Sequence, residues 1–565
     1  MKGNKLLINE KKKTGSHYTP PALAEFVSLQ ILQNRPTERG SRIVILDPAV
    51  GDGELLLSLL SNLSLEQRIE VKVLGFDTDR RAVQVAAERL STAFPEVRCD
   101  LKVENFLTIA YEYSNQGISH GTDFEPVDIV IANPPYVRTQ ILGTEFAQRI
   151  SERFGLSGRV DLYYAFILAI ASVLKPGGVA GIIVSNRFMT TKAGADVREN
   201  ICKKFNILHV WDLGDTRLFE AAVLPAVLLV QLKNGQPGQM EPKFTSVYST
   251  AQAINRITSS SSVVSLLNED GAVQLEDGRR YLVRQGILGY GDNPREVWRL
   301  TNDTSKEWLD TVEKHTYCTF GEIGKVRVGV KTTADRVFIR DDWHELPIDT
   351  QPELLQPLIT HHIARRFKAA QSKRPMQILY THIISNGKRL PVNLSDYPRS
   401  AQYLNSHRSA LEGRSYISKA GRQWFEIWVP QDPRAWKQLK LVFRDITDRP
   451  VFWLDNTGAV VNGDCYWMIA DSTNNSDLLW LALAVGNSSF IETFYDRRFN
   501  NKLYAGRRRF MTQYVEKFPL PEPESEVGQE IIDAVKTIFE ATPSSEAEKL
   551  EVVLDGLVWK AFGVF

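Results

Sequence analysis

Between residues 41 and 232 two hydrophobic rhythms alternate along the chain. Short runs that are apolar at nearly every position, at 43–46, 72–76, 128–132, 179–185 and 223–232, are separated by helically spaced stretches at 54–60, 79–90 and 162–174. A run that is apolar at every position, rather than at every second one, reads as a strand covered on both faces. Strands of that kind alternating with helices close into a parallel sheet with helices on both sides. The expected fold class is α/β, a Rossmann-like, doubly wound, mostly parallel sheet.

The rhythm stops in polar stretches rich in Ser, Thr, Asn and Gly, at 234–238 and 246–262. Past residue 300 the strands are irregular, no sheet–helix alternation is visible, and tryptophans become dense (Trp424, Trp428, Trp436, Trp453, Trp467). Such a cluster reads as core. The chain is therefore expected to divide into a first domain over 1–245, a connecting segment over 246–300, a mixed α+β domain over 301–525 and a helical tail over 526–565. With 565 residues and 43% apolar content there is ample material for separate cores.

Charge changes the picture only locally. The whole chain carries 68 Lys+Arg against 67 Asp+Glu, which says nothing about partners. Residues 361–450, however, hold 17 Lys+Arg against 6 Asp+Glu, a local balance of +11, and Arg507, Arg508 and Arg509 form a further cluster. Arg365 and Arg366 lie in the same basic window. A solvated surface is the ordinary reading of such a stretch. An excess this size beside a near-neutral remainder points instead to phosphate neutralisation by these five arginines. Four cysteines without C-x-x-C spacing argue for reduced thiols and against a zinc site, so no metal is expected. The basic, polar start is unlike a signal peptide, and the longest apolar stretches are too short to span a bilayer, so a soluble, cytoplasmic protein is expected.

The chemistry sits at strand ends. Asp47-Pro48-Ala49-Val50-Gly51-Asp52-Gly53 follows the first strand and precedes a helix, where Gly51 and Gly53 let the backbone approach a ligand and Asp47 can bind a cationic amine. Asp77 ends the next strand, where a Rossmann-like fold holds a ribose. Its alternative duty, capping the following helix, can be met by Asp79. There is no third glycine of a G-x-G-x-x-G and no P-loop lysine, which disfavours NAD and ATP and leaves S-adenosylmethionine. Asn105-Phe106 closes the third strand and could offer an edge and a face to an adenine, although Phe106 alone reads as core. Asn133-Pro134-Pro135-Tyr136 closes the fourth. An amide and a backbone carbonyl can accept from a planar –NH2, the prolines donate nothing, and the tyrosine can stack on the ring bearing that amine. A nucleobase amine or a glutamine amide would fit.

The order His17-Tyr18-Thr19-Pro20, the Asp47–Gly53 loop, Phe76-Asp77-Thr78-Asp79, Asn105-Phe106, Asn133–Tyr136 and Leu174-Lys175-Pro176-Gly177-Gly178 resembles the gamma-class, TaqI-like DNA adenine-N6 methyltransferases of bacterial restriction–modification systems. The resemblance covers residues 14–235 and continues loosely at 326–339 and 504–521. It implies a target-recognition domain at 301–525. It also implies that Thr19, Asp47, Ala49, Gly51, Gly53, Asp77, Asn105, Phe106, Asn133 and Phe166 bind S-adenosylmethionine. Asn133, Pro134, Pro135 and Tyr136 would be catalytic, and Tyr136 and Phe219 would stack on a flipped target base. Asn105 stands where many relatives have Asp, and Asp52 where Ser is common.

The implied activity is methyl transfer to N6 of a flipped adenine in double-stranded DNA by a monomeric enzyme, with a separately encoded restriction endonuclease as a possible counterpart. Adenine N6 is a poor nucleophile, and acceptors that favour a pyramidal nitrogen would localise its lone pair for attack. Cytosine-C5 chemistry needs a Pro-Cys nucleophile, and the chain has no Pro-Cys. A protein glutamine methyltransferase could use the same Asn133 loop but would leave the basic C-terminal half unexplained. A catalytically dead DNA-binding module would not need that loop intact. In a fused nuclease, Asp100-Leu101-Lys102 would have to be catalytic, yet it lies inside the expected sheet.

Overall fold

The computed structural model describes residues 19–35, 42–116, 124–137, 139, 143–157, 160–219, 224–235, 241–250, 258–260, 262–289, 293–301, 303–471, 476–499 and 507–564. His17, Tyr18 and Tyr504 lie outside the described residues. The chain forms two units, 1–302 with 502–506, and 303–501 with 507–565.

The first unit is built on a twelve-stranded sheet. Its first eight strands are β1 (Ile43–Asp47), β2 (Val71–Asp77), β3 (Arg98–Val103), β4 (Val127–Ala132), β5 (Leu174–Ser185), β6 (Phe205–Asp212), β7 (Pro225–Leu232) and β8 (Lys243–Ser249). Their order is β3-β2-β1-β4-β5-β7-β6-β8; the first five are mutually parallel and β7 runs antiparallel to both neighbours. This is the doubly wound, mostly parallel sheet expected. The Asp100–Lys102 triplet lies within β3, as a strand should.

Two apolar clusters cover the sheet. One includes the helix α5 (Leu162–Val173), whose residues are nearly all buried. The other holds α1 (Pro21–Asn34), α2 (Glu54–Ser61) and α3 (Arg80–Ala93). A further helix, α4 (Phe106–Gln116), follows β3. Helix α1 begins on a proline, whose missing N–H has no partner to lose in a first turn. It lies very close to β5: a Cβ at Gly181 would sit 2.7 Å from Ile31 Cδ1 and 2.8 Å from Val27 Cγ1, so glycine is what lets the helix settle there.

One expectation is corrected. Residues 246–300 are not a connecting segment. They contribute the end of β8 and then β9 (Thr258–Ser260), β10 (Gly271–Leu275), β11 (Arg280–Gly289) and β12 (Arg299–Thr301), which extend the same sheet. Val247, Val273, Leu275, Tyr281 and Val283 are buried in the cluster that also holds α1. Alternating polar and apolar residues in these strands, β11 antiparallel to both β8 and β10, supply enough apolar surface to fold onto the sheet edge.

The second unit has a five-stranded and a four-stranded sheet around a core in which Trp343, Trp453 and Trp467 are fully buried and Trp436 nearly so. Trp424 and Trp428 are half-buried, with the guanidinium groups of Arg408 and Arg422 over their rings at 4.9 and 4.7 Å. The two C-terminal helices, Glu526–Ala541 and Ser545–Ala561, pack on each other and on Ser476–Gly486, inside this unit rather than as a separate tail.

Candidate active site

Because β1 to β4 are parallel, their C-terminal ends share one edge of the sheet, and the loops that leave them carry the candidate residues. After β1 the chain turns sharply: Gly51 has φ +51° and Gly53, which caps α2, φ +84°. The loop is tied to β2, since Val50 N–H donates to the Phe76 carbonyl at 2.9 Å and Gly51 N–H to Asp77 Oδ2 at 3.0 Å. Asp77 Oδ1 accepts from Asp79 N–H, and Asp79 caps α3 through Arg81 N–H at 2.8 Å. The capping duty therefore falls to Asp79.

Asp47 is 1% exposed. Its Oδ1 accepts from Ala49 N–H at 3.0 Å, whereas Oδ2 is buried without a partner among the described residues. Burial pushes its pKa up to about 8; the Ala49 N–H opposes this, and the negative charges of Asp77 and Asp52 add to it. A buried carboxylate with one oxygen unmatched is a site for a cation. That observation fits the ammonium end of an S-adenosylmethionine.

After β3, Asn105 Oδ1 accepts from Leu107 N–H at 3.0 Å and so caps α4. One lone pair of that oxygen is used in this way, which leaves the other and the amide nitrogen for a ligand edge. Phe106 is buried between Phe76 (centroids 5.9 Å) and Phe166 (6.0 Å, stacked). Phe106 and Phe166 are thus neighbours within the same buried apolar cluster.

After β4, the Asn133 amide is held at both ends: Nδ2 donates to Thr19 Oγ1 at 3.0 Å and Oδ1 accepts from the Tyr136 hydroxyl at 2.6 Å. Pro134 is buried and Pro135 half-buried. Tyr136 packs edge-on against Tyr163 of α5 (6.1 Å, 85°), whose hydroxyl donates to the Ser185 carbonyl at 3.1 Å. Burial raises the Tyr136 pKa, so its phenol stays protonated and remains a donor. The sequence reading missed the supporting part of Tyr163; its only signal was a pair of tyrosines opening an otherwise aliphatic helix.

Phe219 is buried in the cluster with Trp211 and Leu213, while Tyr136 packs against the opposite one. Residues 220–223, which follow it, lie outside the described residues.

Three of the five arginines assigned to phosphate are paired with acids within the unit. Arg508 makes a bidentate pair with Asp496 (2.8 and 2.9 Å) and donates to the Asp448 carbonyl; its side chain is 12% exposed. Arg509 pairs with both oxygens of Asp445 at 3.1 and 3.2 Å. Arg366 is half-buried, pairs with Glu551 at 3.2 Å and donates to the Asn487 carbonyl. Their charges are matched by carboxylates within the unit, several from outside the window that gave the +11 balance. Arg507 is exposed and Arg365 half-exposed.

Comparison with known proteins adds an independent line. The profile of the Eco57I restriction-modification methylase family matches residues 72–219, and that of the TaqI-like C-terminal specificity domain matches 386–520. The type II methyltransferase M.BanIII of Aneurinibacillus aneurinilyticus is 36% identical over 99% of this chain and 98% of its own length. M.BstVI of Geobacillus stearothermophilus, also a type II methyltransferase, is 24% identical over 90% of each. Among solved structures, the Type ISP restriction-modification enzyme LlaBIII bound to DNA superposes with a TM-score of 0.51 at 11% identity, covering 93% of this chain and 40% of that one.

Proposed function

As the chain belongs to the type II, site-specific DNA methyltransferases of restriction–modification systems, we propose that it methylates N6 of an adenine flipped out of double-stranded DNA, using S-adenosylmethionine. The single observation that carries this reading is the Asn133 amide, fixed at both ends beside a loop carbonyl and an aromatic ring at the C-terminal edge of a methyltransferase-type sheet.

When bound, S-adenosylmethionine supplies an electrophilic methyl group on a sulfonium. Asp47 would hold its ammonium, Asp77 its ribose, and Asn105, Phe106 and Phe166 its adenine. Asn133 Oδ1 and the Pro134 carbonyl would accept the two N–H bonds of the target amine. An amine with both hydrogens so engaged has its lone pair turned out of conjugation and free to attack. The Thr19 and Tyr136 hydrogen bonds fix the amide plane beforehand, so little reorganisation is left to the reaction. Tyr136 would also stack on the ring.

Flipping costs a few kcal/mol, and stacking returns about 1–3 kcal/mol per aromatic, so the balance rests on backbone contacts made by the specificity domain. A separately encoded endonuclease cutting the same site would be the counterpart of this modification. The test is expression in a methylation-free host and mapping of modified bases by single-molecule sequencing, with Asn133→Ala as control. N6-methyladenine at one sequence, absent in the control, supports the reading; modified cytosine or unmodified DNA overturns it.

A further inference from the structure

Resting on that reading, we propose that the hairpin of residues 382–391 reads base edges in the major groove of the DNA. Its strands, His382–Ser385 and Lys388–Pro391, form a two-stranded sheet of their own. They are joined by Asn386-Gly387, with φ +51° and +72°, the tight turn that matches the natural twist of a hairpin. A free-standing hairpin is marginal in water, and this one is secured from beneath. His382 is 5% exposed and faces Glu426 at 3.4 Å. Arg389 donates to the Gln431 carbonyl at 2.6 Å, and Val392 N–H donates to the Thr381 carbonyl.

The register separates two faces. His382, Ile384, Arg389 and Pro391 share the face turned to the body of the unit, and Ile383, Ser385, Lys388 and Leu390 share the other. On that outer face Ile383 and Leu390, directly opposed across the strands, are 39% and 44% exposed, and Lys388 is exposed. A rigid ribbon that keeps an aliphatic pair in water is built to be covered. Its cover is set by the groups beside the pair. Lys388 has no carboxylate partner among the described residues, and the ribbon, residues 382–391, carries Lys388 and Arg389 and no acid.

A two-stranded ribbon fits the major groove. There a lysine can donate to guanine O6 and N7, a serine can bond either kind of edge group, and aliphatic side chains can meet a thymine methyl. The outer face carries these three chemistries and no acid.

The experiment compares wild-type protein with Lys388→Ala and with the double variant Ile383→Ala/Leu390→Ala. The substrates are a duplex carrying the site mapped for the wild type and a set of duplexes each changed at one base pair. All the changed side chains are exposed, so thermal melting and S-adenosylmethionine binding should match wild type and certify the fold. The expected result is a fall of about tenfold or more in the preference for the mapped site at one or two positions, with weak binding to unrelated DNA kept. Unchanged discrimination overturns the proposal. So does a uniform loss across all duplexes with a shallower salt dependence, which would make Lys388 a phosphate contact. Failure of the wild type itself to methylate DNA would sink the underlying reading instead.

Discussion

The Tyr136 hydroxyl donates to Asn133 Oδ1 at 2.6 Å, the same oxygen that the proposed reaction needs as an acceptor for the target amine. A carbonyl oxygen has two lone pairs, so the two uses are compatible, and the tyrosine sets the direction of the one that remains. Tyr136→Phe keeps the ring and removes the hydroxyl. A loss of about 3- to 10-fold in kcat is expected, with DNA affinity retained, from one neutral hydrogen bond of about 1 kcal/mol. Asn133→Ala should cost on the order of 100- to 1000-fold. Single-turnover methyl transfer measures both, and equal activity in Asn133→Ala would remove the amide from the mechanism.

Asp47 gives a pH dependence. Its pKa is raised to about 8, so at neutral pH the free protein keeps it largely protonated, while a bound ammonium favours the ionised form. Cofactor affinity should rise by about tenfold per pH unit between 6 and 8 and flatten above, beyond what the ligand's own titration gives. Stability of the free protein runs the other way. A carboxyl whose folded pKa lies above its unfolded one stabilises fully at acid pH, and that contribution is lost as pH rises through about 8. Calorimetric titration of wild type against Asp47→Asn isolates the effect. Parallel pH profiles would mean that Asp47 does not face the ligand.

The arginine cluster should divide by role. Arg508 sits between Asp496 and Glu492 with little exposure, so Arg508→Ala should lower stability by about 2 kcal/mol and leave the salt dependence of DNA binding unchanged. Arg507→Ala should leave melting unchanged and flatten the salt slope by about one. The opposite pattern would restore Arg508 to the DNA.

Gly53 combines φ +84° with a neighbour too close for a side chain: an added Cβ would lie 3.1 Å from Ala86 Cβ. Gly53→Ala is expected to cost about 1–3 kcal/mol, through backbone strain and displacement of α3. Urea unfolding reads the first effect and weaker S-adenosylmethionine binding the second.

The methyltransferase half was legible because its central strands are apolar at most positions, on both faces, and because the candidate site residues follow those strands directly in sequence. Residues 246–300 were not. Strands such as Lys243–Ser249 place small hydroxyls among their apolar residues, and Thr245 and Ser246 are buried there, so polarity was mistaken for exposure. The basic window misled for a related reason. A charge sum over 361–450 cannot see Glu551 pairing with Arg366, and the separate 507–509 cluster likewise hides Asp496 pairing with Arg508, because those partners are brought close only by folding.

The hydrogen bond from Asn133 to Thr19 spans 114 positions of sequence. Thr19 stands just ahead of α1, and α1 lies on β5 through the gap left by Gly181. The Asn133 amide is therefore braced by a strut whose foot is a missing methyl group on the neighbouring strand. A bulkier residue at 181 would act at a distance: it would lift the helix, slacken the brace and blunt the chemistry while every catalytic side chain was still in the sequence.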